Sequence, residues 1–494
     1  MTDRHFHNLI GGQWLAGSGT SPIADVNPAD LREVIGYATD STAEDVDAAV
    51  QAAHAAFEGW RATPAPVRGR IVAKAGRLME ERKAKIGEIL TREEGKILAE
   101  ALGEVQKGAN LVDFLAGEAR RLNGETVPSE MTSTFAYTLR VPLGVVGLIT
   151  PWNFPMAIPA WKIAPALVAG NTVVIKGAEQ TPWVTEEVVR CFVDAGLPEG
   201  VLNLVQGNGA TAGAALVDHP LVEAISFTGS TEIGHHVYAR GAELGKRVQC
   251  ELGGKNPIIV LADGDLDLAV AATAKGAFGS TGQRCTATSR AIVDRRIHDE
   301  FVTRLREAAA EVVPGNGLNP NSTMGPSVDQ GQFDKVHEYL GIGPGEGVET
   351  ICGGGRAVEG DLQYGLFTQP TVWSGVTRTM RVAREEIFGP VLSVIAVDGI
   401  EEALDVANDV EYGLTSSVYT KDVNQVFRYI DRIDTGMLHV NSPTIGGEAQ
   451  LPFGGMKKTG IGPREMGKTA IEFFTEWKTV YIDYTGSLRG GNLY

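Results

Sequence analysis

Over residues 41–120 the apolar positions fall at helical spacing. They predict helices over 44–60, behind a Ser41-Thr42 start, over 71–90 and over 95–116. These helices read as supporting structure, with no chemistry of their own. Ahead of them, 8–14 reads as a strand, a glycine turn and a second strand. After them, 134–141 alternates apolar and polar as a strand with one wet face, and 471–484 reads as an exposed strand. A different pattern begins at Gly144. Unbroken apolar strands over 144–150, 172–175, 201–205 and 224–227 alternate with helices over 158–169, 182–195 and 210–217. That alternation predicts βαβ units, hence an α/β fold with a parallel sheet covered on both faces. Later, 247–250 reads as a strand, 266–278 as a helix and 289–293 as a strand.

At 494 residues the chain is too long for one compact core, so two or three domains are expected. A formal charge of −17 argues against a nucleic-acid or anionic-membrane surface. Four cysteines, Cys191, Cys250, Cys285 and Cys352, are too few for a disulfide framework, and no CxxC or HxxxH spacing suggests a metal. With no apolar leader and no membrane-length apolar run, a reducing cytoplasm is the expected location.

Candidate chemistry falls at the ends of strands, where ligands bind on such sheets. Cys285, in Gly282-Gln283-Arg284-Cys285-Thr286-Ala287, lies on a helix-to-strand connection among polar neighbours. It is either a nucleophile, which requires a thiolate, or a small buried hydrophobe. Asn153, stiffened by Pro151-Trp152 and Phe154-Pro155, suits an oxyanion donor. Glu251, at a strand end before Gly253-Gly254, reads as a general base or as a capping carboxylate. Lys176 and Glu179 suit ribose hydroxyls, or form an exposed ion pair. Gly229-Ser230 opens a helix whose N-terminus suits a pyrophosphate, or makes a tight turn and nothing more.

Taken together, PWNFP (151–155), KGAE (176–179), FTGS (227–230), ELGGKNP (251–257), GQRCTA (282–287), EEIFGP (385–390) and LPFGGMKKTG (451–460) resemble the aldehyde dehydrogenase superfamily over nearly the whole chain. The segments 157–165, 280–290 and 462–465 look most like its α-ketoglutaric semialdehyde dehydrogenase branch. The resemblance implies a Rossmann-like dinucleotide-binding domain (1–122 and 143–252), an α/β catalytic domain (253–450) and a small β oligomerisation arm (123–142 and 468–494). It implies that Cys285 attacks the aldehyde, that Asn153 and the Cys285 backbone N–H hold the oxyanion, and that Glu251 activates the water that hydrolyses the thioester. Lys162 sits where the family often keeps a lysine near that glutamate. The cofactor would be NAD, with NADP possible, because Glu179 accepts from a free 2′-hydroxyl and repels a 2′-phosphate. Its site would comprise Thr150, Pro151, Trp152, Lys176, Glu179, Gly209, Phe227, Gly229, Ser230, Leu252, Glu386 and Phe388.

Phe154, Trp161, Arg284, Thr286 and Phe453 would meet the substrate, a small anionic semialdehyde; Arg284 either pairs with its acid group or is a structural arginine turned away from the pocket, which its adjacency to Cys285 favours slightly. Trp161 and Gly279 stand where succinate semialdehyde dehydrogenases often place arginines, which weakens that alternative. A broad-specificity aliphatic or aromatic aldehyde dehydrogenase, a CoA-acylating relative and a cysteine hydrolase are the competing readings. Glu251 argues against the second, and the lack of a histidine in any motif against the third. Three departures from the family pattern stand out: Gly177 replaces a usual proline and would loosen the ribose loop, Pro463 is an extra residue, and Lys468 replaces a glutamate that some relatives link to proton relay. The arm implies a homodimer or a dimer of dimers.

Overall fold

A computed structural model describes residues 4–488. Its centre is an eight-stranded sheet in the order Gly460–Ile461, Arg247–Glu251, Val222–Thr228, Val145–Ile149, Thr172–Lys176, Leu202–Val205, Asn8–Ile10 and Gln13–Leu15. The five strands from Arg247–Glu251 to Leu202–Val205 are parallel. Helices cover both faces, so Val145–Ile149 is wholly apolar and Thr172–Lys176 is apolar but for its two ends, whereas Arg247–Glu251 alternates polar and apolar. Chain order reverses at Val145–Ile149, which pairs Thr172–Lys176 on one side and Val222–Thr228 on the other. Such a reversal opens a crevice beyond the carboxyl ends of the strands.

A second sheet of seven strands has Thr288–Asp294 near its middle, flanked by Asn256–Val260 and Val391–Val397, all parallel. The strand Arg247–Glu251 feeds through Gly253-Gly254 into Asn256–Val260. The carboxyl ends of the first sheet therefore meet the amino ends of the second.

The early helices depart from the expected boundaries. The helix expected over 71–90 is two, Ala65–Glu81 and Lys83–Glu94, because Arg82 leaves helical geometry and its guanidinium pairs with Asp194 at 2.6 Å. The apolar stripe runs on across the break (Val72, Ala75 and Met79, then Ile86 and Leu90), so periodicity alone does not reveal it. Gly95 starts no helix. It ends Lys83–Glu94 with φ 100°, and the next helix is Leu98–Glu118.

At the other end, 471–474 is not strand. Thr469–Phe473 is a short helix that buries Ala470, Ile471 and Phe473, and the strand begins at Thr475. Thr475–Asp483 pairs antiparallel with Thr134–Pro142 over its full length, and Thr126–Val127 completes a three-stranded sheet. Residues 1–3, and 489–494 of the arm expected over 468–494, lie outside the described residues. Among the described residues no helix is long and apolar enough to cross a membrane.

Candidate active site

Cys285 is carried on a loop whose backbone is left-handed at three consecutive residues, Ser280, Thr281 and Gly282. At Gly282 a Cβ would lie 2.1 Å from the Gly389 carbonyl oxygen, so only glycine fits. Ser280 and Thr281 adopt the same conformation at a cost of about 1–3 kcal/mol each. Their anchors are hydrogen bonds from Ser280 N to Glu100 (2.8 Å) and from Thr281 Oγ1 to the Gly325 carbonyl (3.0 Å). Asn256, in the ELGGKNP segment, donates to the carbonyls of Cys285 (2.7 Å) and Ala287 (2.8 Å) and fixes the nucleophile from below.

Asn153 comes from the carboxyl end of Val145–Ile149. Its Nδ2 donates to the Gln283 carbonyl at 3.1 Å. That bond uses one amide hydrogen and leaves the other for the cavity. No acceptor among the described residues takes the backbone N–H of Cys285. The Asn153 loop is braced from helix Leu98–Glu118 and its lead-in. Lys96 donates to the Asn153 carbonyl (2.8 Å) and pairs with Glu104 (2.6 Å), while Glu104 accepts from the N–H groups of Met156 and Ala157 at the start of helix Ala157–Ala169. That buried carboxylate caps the helix from another element.

Asn153 and Cys285 line a cavity of about 180 Å³ together with Pro151, Trp152, Ile158, Thr228, Gly229, Ser230, Leu252, Gly253, Gln332, Lys335, Glu386 and Phe388. Ser230 caps helix Thr231–Glu243, so the free N–H groups of the first turn point at the crevice. Glu386 accepts from Gly254 N at 2.8 Å, and the Phe388 ring meets Trp152 edge-on at 5.5 Å. At the next strand end Lys176 and Glu179 pair at 2.7 Å, Thr150 N donates to the Lys176 carbonyl, and Gly209 passes close to the lysine ammonium. The Phe227 ring packs on Gly229.

These elements, in this order, match the aldehyde dehydrogenase family model over residues 14–480. The chain belongs to the aldehyde dehydrogenase family. It is 44% identical over 475 residues to an α-ketoglutaric semialdehyde dehydrogenase of Bacillus subtilis, covering 96% of this chain and 97% of that one. It is 43% identical to the corresponding enzyme of Haloferax volcanii, covering 98% of this chain and 100% of that one. Among solved structures it resembles a betaine aldehyde dehydrogenase of Staphylococcus aureus in complex with NAD+, with a TM-score of 0.95, 34% identity and coverage of 98% and 95%.

The rest of this aldehyde dehydrogenase's site is electrostatic. Burial is the main cause that pushes the Cys285 thiol up to about 12, reinforced by the Glu251 carboxylate; Lys107 and the Thr286 backbone N–H act the other way. Glu251 is buried, with its carboxylate beside Gly454 and Gly455 and no partner for Oε1 among the described residues. Burial, then the nearby Glu465, raise it well above the usual carboxylate range, against the pull of Arg464 and Lys162.

Glu465 is the residue that motif reading misses. It lies buried and pairs with Lys162, whose ammonium also donates to Ser226 Oγ at 2.7 Å, and it accepts from Trp161 Nε1 at 2.8 Å. Lys468, three residues on, is exposed at the start of helix Thr469–Phe473. Pro463 is accommodated where its carbonyl accepts from Gln249 at 2.7 Å. Gly177 adds no slack: a Cβ there would lie 2.6 Å from the Thr185 hydroxyl, so Thr185 occupies the space a side chain needs.

Of the residues expected to meet substrate, Phe154, Trp161 and Phe453 share one apolar cluster with Cys285, and the Trp161 and Phe453 rings are 5.7 Å apart. Thr286 is buried, its carbonyl held by Thr444. Arg284 is engaged elsewhere: it pairs with Glu100 at 2.9 Å and donates to Ser280 Oγ at 2.9 Å.

Proposed function

We propose that this enzyme oxidises a short aldehyde with an acidic far end, of the α-ketoglutaric semialdehyde type, to the carboxylic acid, with NAD as electron acceptor and water as acyl acceptor. The observation that carries the reading is the single cavity shared by Cys285, Asn153, Ser230 and Glu386, with Glu251 near enough to repel the thiolate. The residues suit a dinucleotide: the first turn of Thr231–Glu243 would take the pyrophosphate, Lys176 and Glu179 the adenosine ribose, and Glu386 the nicotinamide ribose. When bound, the nicotinamide supplies the acceptor for the hydride that the aldehyde carbon loses.

The protein's own residues do the rest. A thiol and a carboxylic acid that are both raised by burial lie close together. A proton therefore passes from Cys285 to ionised Glu251, and the pair needs no histidine. The thiolate sulfur bonds to the carbonyl carbon, and the C=O pair moves onto oxygen, where the free Asn153 N–H and the Cys285 backbone N–H hold it. Loss of hydride leaves a thioester. Glu251 next releases the proton it took from Cys285 to solvent; as a carboxylate it then draws a proton from water, the hydroxyl adds to the acyl carbon, the C=O bond re-forms as the C–S bond breaks, and the departing thiolate takes that proton back from Glu251. The Glu465–Lys162 pair beside Glu251 sets how readily that carboxyl gives its proton up.

Asn153→Ala is expected to lower kcat/KM by about 10²–10³ through loss of one oxyanion donor, while the dissociation constant for NAD stays near that of the parent. Steady-state kinetics and a cofactor titration check it. For the assembly, Thr134–Pro142 and Thr475–Asp483 expose Phe135, Trp477, Tyr481 and Ile482. Exposed apolar side chains on both sides of an outlying sheet, Phe135 and Ile482 on one and Trp477 and Tyr481 on the other, support a homodimer or a dimer of dimers.

NADH absorbance across semialdehydes, sugar-derived aldehydes and aromatic aldehydes, with and without CoA, tests the function. Fastest turnover on an acidic semialdehyde, indifferent to CoA, upholds it. Faster turnover with CoA, or a preference for aromatic aldehydes, sinks it.

A further inference from the structure

Helix Leu98–Glu118 presents Glu100, Glu104 and Lys107 toward the active site at steps of four and three, so the three share one face. Two of them are matched: Glu100 pairs with Arg284, and Glu104 with Lys96. No hydrogen bond or ion pair is made to the Lys107 ammonium by any described residue. It is half-buried among rings, 5.6 Å from the centre of Trp161, 5.8 Å from Phe453 and 6.0 Å from Phe154.

Those rings belong to the same apolar cluster as Cys285, and the ammonium stands close enough to the sulfur to favour its thiolate. Three ring faces offset part of the hydration that the ammonium gives up, but they supply no oxygen for its N–H groups. An ammonium that is desolvated and short of acceptors is a ready partner for an anion. The cation that the sequence singles out, Arg284, is already neutralised. Its guanidinium stands 5.9 Å from the same Phe154 ring, with Glu100 bound to it. The net positive charge facing this cluster is therefore that of Lys107.

We propose that Lys107 receives the carboxylate at the far end of the substrate and so selects an anionic semialdehyde over a neutral aldehyde. The aromatic rings line the substrate's short chain, Cys285 meets its aldehyde, and the ammonium pairs with its acid. This inference rests on the reading that the natural substrate is an acidic semialdehyde. A purely structural role for Lys107, filling space among rings through its methylenes, predicts no dependence on substrate charge.

The test compares kcat/KM for 2,5-dioxopentanoate with that for its methyl ester, which masks the charge and keeps the chain. The comparison is made in the parent enzyme, K107M, K107Q and K107R. Because both substrates are read on one preparation, the ratio does not depend on how much of a variant is folded, and the two neutral variants guard against one that fails to fold. The expected result is a parent ratio well above one. That ratio falls about 10- to 100-fold in K107M and K107Q, mainly through the KM of the acid, and is largely restored in K107R. A parent ratio at or below one overturns both the acidic-substrate reading and this inference. A clear preference in the parent that survives unchanged in K107M and K107Q overturns the role of Lys107 alone.

Discussion

Cys285→Ala is expected to lower kcat for NADH formation by at least about 10⁴-fold, with NAD binding retained. Without the sulfur there is no covalent adduct, and the aldehyde hydrate has only the oxyanion donors to help it. No other cysteine substitutes. Cys250 precedes Glu251 on the same strand, so their side chains point to opposite faces of the sheet. Its thiol faces the Gly234 carbonyl at 3.5 Å, and burial pushes it up to about 12. Cys191 is buried against Arg82, and Cys352 belongs to the second sheet. Cys285→Ser is expected to fare little better, because a hydroxyl is harder to ionise than the thiol it replaces. Stopped-flow absorbance with isothermal titration of NAD checks the pair. Full-speed NADH formation by either variant would remove the nucleophile from the account.

Glu251→Gln is expected to slow both halves of the reaction, the hydrolytic half more. Glutamine keeps the shape and cannot accept a proton; Cys285, freed of the neighbouring negative charge, can still lose its proton to solvent, whereas water is left without a base, so the hydrolytic half slows by about 10²–10⁴-fold and the thioester accumulates. The transient should show at most one NADH per active site, followed by a slow steady rate, with acyl-enzyme visible by intact mass after acid quench. The pH dependence follows from the direction of the shift. Glu251 is held protonated above the usual carboxylate range by burial and by Glu465, so its basic form grows tenfold per pH unit until its pKa is passed. Steady-state kcat of the parent should therefore go on rising with pH above the range in which an ordinary carboxylate has finished titrating, and the variant should lose that limb. A variant that turns over normally, or a flat profile in the parent, would point to a different base.

Much of the architecture was legible because a sheet covered on both faces writes itself as unbroken apolar runs, and because turn chemistry marks where those runs end. Val145–Ile149 delivers Asn153 to the crevice for that reason, while Arg247–Glu251, which alternates polar and apolar, is marked by the Gly253-Gly254 turn that follows Glu251. Less visible were features made by contacts remote in sequence. The helix expected over 71–90 is interrupted at Arg82, which pairs with Asp194, although its apolar stripe continues. Glu465 finds Lys162 across 303 residues of chain, a pairing that no local period records. Arg284, adjacent to the nucleophile, reads as a substrate ligand or as a structural arginine, and the sequence does not show that Glu100 on another element engages it. The helix dismissed as support supplies Glu100, Glu104 and Lys107. Three charged residues at steps of four and three, Glu100, Glu104 and Lys107, in the first half of a helix rich in apolar residues were the available signal.

The strand Gly460–Ile461 closes the edge of the first sheet, pairing with Cys250 and Glu251, while the Leu252 N–H donates to the Thr459 carbonyl at 2.7 Å. The general base thus takes its final surroundings from residues synthesised more than two hundred positions after it. During translation the nascent chain can lay down its parallel strands and even expose a thiol at residue 285. The pairing of Lys162 with Glu465, and with it the tuned carboxyl, must wait until residue 465 leaves the ribosome. A half-made polypeptide is accordingly not a half-active one, and its reactive sulfur has no competent base beside it while the chain is still incomplete.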